Sequence, residues 1–272
     1  MPYVIQSIPD ARRPLFALAL AAALILVLAG CSTSPEDDST NWSAAKLYDA
    51  AKSALKTADY ETALKHLETL ESRFPFGRYA QQAQLDIIYA YFKYDEPESS
   101  IAAADRFIKL YPRHPHVDYA YYMRGLASFD KGMGSLEYFL NLDPTTRDPK
   151  PARDSFEYFR VLISQFPQSP YAADSAQRLT YLHQNLGRYE LHVADFYMRR
   201  GAYVAAVNRA KQVIEKFHRT DAARDALAIL VQAYTQLGLD DLATDARRVL
   251  ELNAPDHPLI RKLNAAQSAG HS

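Results

Sequence analysis

The chain has 272 residues, with 31 Lys and Arg against 32 Asp and Glu, and one cysteine. That balance lacks the basic excess that marks nucleic-acid-binding domains. A lone cysteine allows neither an internal disulfide nor a cysteine-ligated zinc site.

The first predicted element is a secretory signal. Arg12 and Arg13 precede an uncharged stretch from Leu15 to Leu28, dominated by Leu, Ala, Ile and Val. A positive start followed by an apolar core is the layout of a signal peptide. The stretch covers 14 residues, short of the roughly 20 that a bilayer-spanning helix needs. It closes on Leu28-Ala29-Gly30-Cys31, which resembles the lipobox of bacterial lipoproteins. The resemblance implies that residues 1–30 are removed and that the Cys31 thiol carries covalent lipid. Stable anchoring takes more than one acyl chain. Ser32 follows the cysteine, where inner-membrane lipoproteins typically carry Asp. The expected address is therefore the periplasmic face of the outer membrane.

Residues 31–43 are polar, hold few apolar side chains and read as a flexible lipid-anchored linker. From residue 44 onward Ala, Leu and Tyr recur at spacings of three and four, the period of amphipathic helices. The expected class is all-α.

Five segments then stack on one another. Ala58-Asp59-Tyr60 leads to Phe74-Pro75, Asp95-Glu96-Pro97 to Tyr111-Pro112, and Pro151-Ala152-Arg153 to Phe166-Pro167. Gly201-Ala202-Tyr203 leads to Phe217-His218, and Gly238-Leu239-Asp240 to Ala254-Pro255. Each segment has a small residue at a matching place: Ala63, Ser100, Ser155, Ala206 and Ala243. A turn, a small residue at a helix crossing and a terminating proline make the tetratricopeptide pattern. The expected architecture is an α-solenoid of five such hairpins. The stops at 75, 112, 167, 218 and 255 lie 37, 55, 51 and 37 residues apart. The 55-residue interval holds an insertion near 131–150, with Asp143-Pro144 and Asp148-Pro149 marking irregular chain. The 51-residue interval has no loop composition, so a long first helix is expected from Tyr171 to Arg200.

Specific phrases go beyond the repeat. Arg73-Phe74-Pro75-Phe76-Gly77-Arg78-Tyr79, Tyr121-Tyr122-Met123-Arg124-Gly125-Leu126 and Arg200-Gly201-Ala202-Tyr203 are among them. With the lipobox and the repeat layout, the chain resembles the BamD family of tetratricopeptide lipoproteins, which serve the outer-membrane β-barrel assembly machine. The resemblance runs from residue 28 to about 255. It implies a non-enzymatic scaffold that helps insert unfolded β-barrel proteins into the outer membrane. Residues 44–169 would face the C-terminal segments of those substrates. Residues 170–255 would dock on the central barrel subunit, and accessory lipoproteins of the machine would also bind. Residues 256–272 are expected to be a flexible tail.

The residues themselves suggest where such partners would sit. First-helix side chains line the concave face of a solenoid, and the first three repeats place Tyr48, Tyr89, Tyr91, Tyr94, Tyr119, Tyr121 and Tyr122 there. Tyr48, Arg78, Tyr79 and Tyr94 are the expected exposed members of a substrate-peptide groove, and Tyr91 is expected in the core. Residues 188–219 hold seven basic residues against three acidic ones. Arg199, Arg200, Tyr203 and Arg209 are the expected docking residues, because a basic patch suits an acidic partner surface. No phosphate loop, nucleophile elbow or zinc-protease motif is present, so no catalytic residue, metal or cofactor is expected apart from the lipid on Cys31. Two rival readings are another periplasmic repeat scaffold and an enzyme with a site near the 131–150 insertion.

Overall fold

The computed structural model describes residues 38–133, 145 and 147–269. Cys31, the signal and most of the 131–150 insertion lie outside the described residues. The chain divides into two units, 1–43 and 44–272. In the first, the described structure is a single 3-10 turn at Asp38–Asn41.

The second unit is helical throughout its described residues. The helices are α1 (Ala44–Lys56), α2 (Tyr60–Arg73), α3 (Arg78–Lys93), α4 (Pro97–Leu110), α5 (Val117–Met133) and α6 (Lys150–Gln165). They continue as α7 (Ala172–Arg199), α8 (Tyr203–Lys216), α9 (Asp221–Gln236), α10 (Asp240–Asn253) and α11 (Pro258–Ala269). Consecutive helices from α1 to α10 pack side by side, which gives the pairs α1/α2, α3/α4, α5/α6, α7/α8 and α9/α10.

The small residues explain how close the paired helices come. Ala63, Ser100, Ser155 and Ala206 are fully buried, and Ala243 is partly buried. Ser100 Oγ donates to the Ile88 carbonyl and Ser155 Oγ to the Gly125 carbonyl, each at 2.9 Å. A buried hydroxyl is acceptable there because it is bonded. A longer side chain at these crossings would force the helices apart.

The turns within the pairs share one backbone feature. Ala58, Asp95, Gly201 and Gly238 all adopt positive φ, between 59° and 71°. Only glycine takes that conformation without steric cost, so the first two turns carry strain that the last two avoid. Between pairs, Phe74, Tyr111, Phe166 and Phe217 each cap a helix, their N–H groups bonding to Leu70, Phe107, Leu162 and Val213 carbonyls. Pro75, Pro112 and Pro167 follow and cannot donate the next helical bond. His218 takes that place after α8, and the helix stops all the same.

The long helix appears where its pattern predicts it. α7 has 28 residues, with Tyr171 and Arg200 as its caps, and so runs about 42 Å at 1.5 Å per residue. Within the tail expected to be flexible over 256–272, the described residues from Pro258 onward instead form a helix. α11 occupies Pro258–Ala269, Ile260 is 3% exposed, and Leu259 and Leu263 pack on a core that includes Val213, Tyr234 and Leu250. Burying one such side chain contributes about 1.5–3 kcal/mol, enough to hold a short helix onto the array.

Candidate functional site

First helices of successive pairs touch one another: α1 meets α3, α3 meets α5, and α7 meets α9. Among the described residues, second helices make no comparable contacts with each other. The first helices therefore form the tighter, inner side, and their tyrosines and carboxylates meet across it.

Tyr48 of α1 donates its hydroxyl to Asp86 Oδ2 of α3 at 2.9 Å. Lys52, one turn along α1, places Nζ 3.2 Å from Asp86 Oδ1. The Tyr79 ring lies 5.6 Å from Tyr48, and the Arg78 guanidinium covers the Tyr79 ring at 5.0 Å. Farther along, Tyr122 of α5 stacks on Tyr171 with centroids 4.7 Å apart, and Tyr119 lies 5.8 Å from the same ring. Tyr122 donates to Asp174 Oδ2 at 2.9 Å. Arg178 Nε donates to that oxygen at 2.7 Å and sets its guanidinium 4.8 Å over Phe129.

Burial, followed by the charge of Asp86, pushes the Tyr48 and Tyr119 hydroxyls above their ordinary value. Burial and the bond to Asp174 do the same for Tyr122. At Asp174 burial pushes the carboxyl up, but the bonds from Arg178 and Tyr122 outweigh it and hold the group below its ordinary value. These tyrosines stay neutral and the carboxylate stays charged at physiological pH. The inner face thus offers aromatic surfaces and fixed hydrogen-bonding groups, a chemistry suited to gripping extended chain.

Of the expected groove residues, Arg78 is exposed and Tyr94 is 45% exposed. Tyr48 and Tyr79 were expected exposed and are half-buried instead, because each ring leans on its neighbour across the α1–α3 seam. Arg78, Tyr79 and Tyr48 come together. Tyr94 does not join them; it caps the other end of α3. Tyr91, expected in the core, is half-buried. Its hydroxyl donates to Glu68 at 2.6 Å, and that bond, then burial, pushes it up to about 12. Sequence reasoning missed Lys52, Asp86, Tyr171, Asp174 and Arg178. The i,i+4 spacing of Asp174 and Arg178 was the available signal.

The second expected site lies at the α7–α8 turn. Arg199 and Arg200 are exposed there. Arg199 pairs with Asp195. The Arg200 guanidinium lies 5.2 Å over the Phe196 ring, and Phe196 and Val204 are 44% and 62% exposed. Tyr203 and Arg209 point elsewhere. Tyr203 packs on the C-terminal core. Arg209 donates to Glu190 Oε2 at 3.0 Å, while Arg153 of α6 donates to Glu190 Oε1 at 2.7 Å. Glu190 is a buried clamp between α6 and α8, and Arg209 belongs to that clamp. The His114–His116 pair forms a polar turn, with the His116 N–H donating to His114 Nδ1.

The sequence matches a known family over most of its length. The family YfiO, described as an outer membrane lipoprotein, matches residues 40–250. The outer membrane protein assembly factor BamD of Neisseria meningitidis serogroup B is 44% identical over 248 residues, covering 89% of this chain and 93% of that protein. BamD of Vibrio cholerae is 40% identical over 227 residues, covering 84% and 94% respectively. Among solved structures, the TPR-like repeats of a Podosopora anserina putative kinesin light chain align with 78% of this chain and 96% of theirs, at 12% identity and a TM-score of 0.39. By extent and identity of the sequence match, this chain belongs to the BamD family of outer membrane lipoproteins.

Proposed function

We propose that the protein is an outer-membrane protein assembly factor, acting as a non-enzymatic scaffold on the periplasmic face of the outer membrane. Membership of the BamD family carries this reading. No described helix is long and apolar enough to cross a membrane. The Leu28-Ala29-Gly30-Cys31 phrase supports attachment through lipid on Cys31.

Within that role the inner face of α1, α3, α5 and α7 receives the C-terminal segments of unfolded barrel proteins. Neutral tyrosine hydroxyls and held carboxylates supply bonding groups, and the exposed Tyr89 and Tyr94 supply apolar contact. The α7–α8 turn docks on the central barrel subunit. Arg200 lies over the exposed Phe196, combining an apolar anchor with a cation that pairs with a partner carboxylate. Other surfaces serve the accessory lipoproteins.

Affinity purification from detergent-solubilised membranes tests the role. The wild-type chain should recover the barrel subunit and its accessory lipoproteins, and Arg200→Glu should recover clearly less barrel subunit. Recovery of none of these partners by the wild-type chain would refute the assembly role. Undiminished recovery by Arg200→Glu would remove the turn as the docking site. Cys31→Ala should leave unprocessed or soluble protein; normal membrane fractionation together with an unchanged mature mass would refute the anchor.

A further inference from the structure

The first two helix pairs carry opposite charge at their two ends. Consecutive packed helices joined by short turns run antiparallel, so the start of α1 shares one end with the α2–α3 and α4–α5 turns. The α1–α2 and α3–α4 turns lie at the other. At the first end Arg73, Arg78, Lys109 and Arg113 are all exposed, and neither 72–82 nor 109–117 contains an Asp or Glu. At the second end Asp59, Glu61, Asp95, Glu96 and Glu98 outnumber Lys56 and Lys93, and Glu98 pairs with Lys131.

The cationic end also displays apolar groups. Phe76 is 89% exposed, the most of any large hydrophobic residue among those described, and Leu110 is 55% exposed. An isolated exposed apolar side chain needs no explanation. Here two of them stand among four cations, and the carboxylates next along the chain, Glu71 and Asp118, are bonded to Arg106 and Ser169. From this end, too, the chain leads back to Cys31, 13 residues before Ala44 (44 − 31). Thirteen residues reach at most about 45 Å, so a lipid on Cys31 keeps the array within that distance of a bilayer, with the chain entering it at this end.

We propose that this end rests on an anionic phospholipid surface, with Phe76 entering the headgroup layer and Arg73, Arg78, Lys109 and Arg113 meeting lipid phosphates. Aromatic side chains favour the membrane–water interface, and basic clusters are drawn to anionic leaflets within a Debye length. The acidic end is repelled by the same field, so the charge separation fixes which way the array faces. The inference rests on the reading of Cys31 as the anchor and adds an orientation to it.

Fluorescence quenching in vesicles tests the contact. The full lipidated chain, with Trp42→Phe, carries either Phe76→Trp or, at the opposite end, Glu96→Trp. It is reconstituted with brominated acyl chains in phosphatidylcholine, with or without phosphatidylglycerol. Mass measurement checks the lipid on Cys31, so failure of the anchor is read separately from failure of the contact. The tryptophan at position 76 should be quenched in phosphatidylglycerol vesicles. That quenching should be lost in phosphatidylcholine alone and on adding Lys109→Glu with Arg113→Glu, while position 96 stays unquenched throughout. Absent quenching at 76, equal quenching at 76 and 96, or no dependence on phosphatidylglycerol overturns the proposal. So does protection of position 76 by an aromatic-ended peptide without lipid quenching, which would assign this end to substrate.

Discussion

Gly125 and Phe159 compete for one volume: a Cβ built at position 125 would fall 2.7 Å from Phe159 Cε1. Phe159 is fully buried, and beside it Ser155 reaches the Gly125 carbonyl at 2.9 Å. The glycine therefore sets the spacing of α5 and α6. Gly125→Ala should lower the free energy of unfolding by about 1–3 kcal/mol through overpacking. Helix propensity alone would favour alanine by about 1 kcal/mol, so the sign is diagnostic. Denaturant titration decides it, and a stabilised variant would contradict the close packing.

Ala58 supports the opposite expectation. Its φ of 59° places an L-residue in the left-handed region, where Gly201 and Gly238 close the corresponding turns. Ala58→Gly should stabilise the fold by up to about 1 kcal/mol, the relieved strain exceeding the entropy gained by the unfolded chain. A lower thermal midpoint would show that the turn carries no strain at that position.

Asp174 links α5 to α7 and is sensitive to acid. Its folded carboxyl lies below the unfolded value of 3.8, so the folded state binds the proton less readily. The stabilisation is complete above about pH 4–5 and is lost as pH falls through the folded value. The stability difference between the parent protein and Asp174→Asn should be flat at neutral pH and shrink below about pH 4. Urea titrations across that range check it, and a difference unchanged down to about pH 3 would contradict the assignment.

Glu190 ties the third pair to the fourth. Its side chain is 11% exposed, while Arg153 and Arg209 are 54% and 40% exposed. The arginines keep water when the carboxylate is removed, so the penalty of a stranded buried charge does not apply in full. Glu190→Ala should cost about 1–3 kcal/mol, the worth of its charge-assisted bonds. In a double-mutant cycle with Arg153→Ala, a coupling below about 0.5 kcal/mol would dismiss the clamp.

Repeat structure was legible because it is local. Small residues at 63, 100, 155 and 206 mark helix crossings, and a cap followed by proline marks a stop, so both can be read without knowing neighbours. Residues defined by contacts between pairs were not legible. Helical phase puts Tyr48 and Tyr79 on the first-helix face but does not say that they lean on one another. Glu190 reads as one acid in a basic stretch until Arg153, 37 residues away, is brought beside it. The helix at Pro258–Ala269 was missed although proline at a first position, with Leu259, Ile260 and Leu263 behind it, carries a helical pattern. What decides its order is a core supplied by α8 to α10.

Substrate received on the inner face of the first helices should be captured from that face and not from the outer one. Photo-crosslinker placed at Tyr89, 37% exposed and one turn beyond Asp86 on α3, samples that face. Placed at Lys65, exposed on α2, it samples a second helix. With a peptide matching the C-terminal segment of an unfolded barrel protein, position 89 should crosslink and position 65 should not, and unlabelled peptide should compete the adduct away. Crosslinking at position 65 with none at position 89 would place the peptide on the second helices and rule out the inner face.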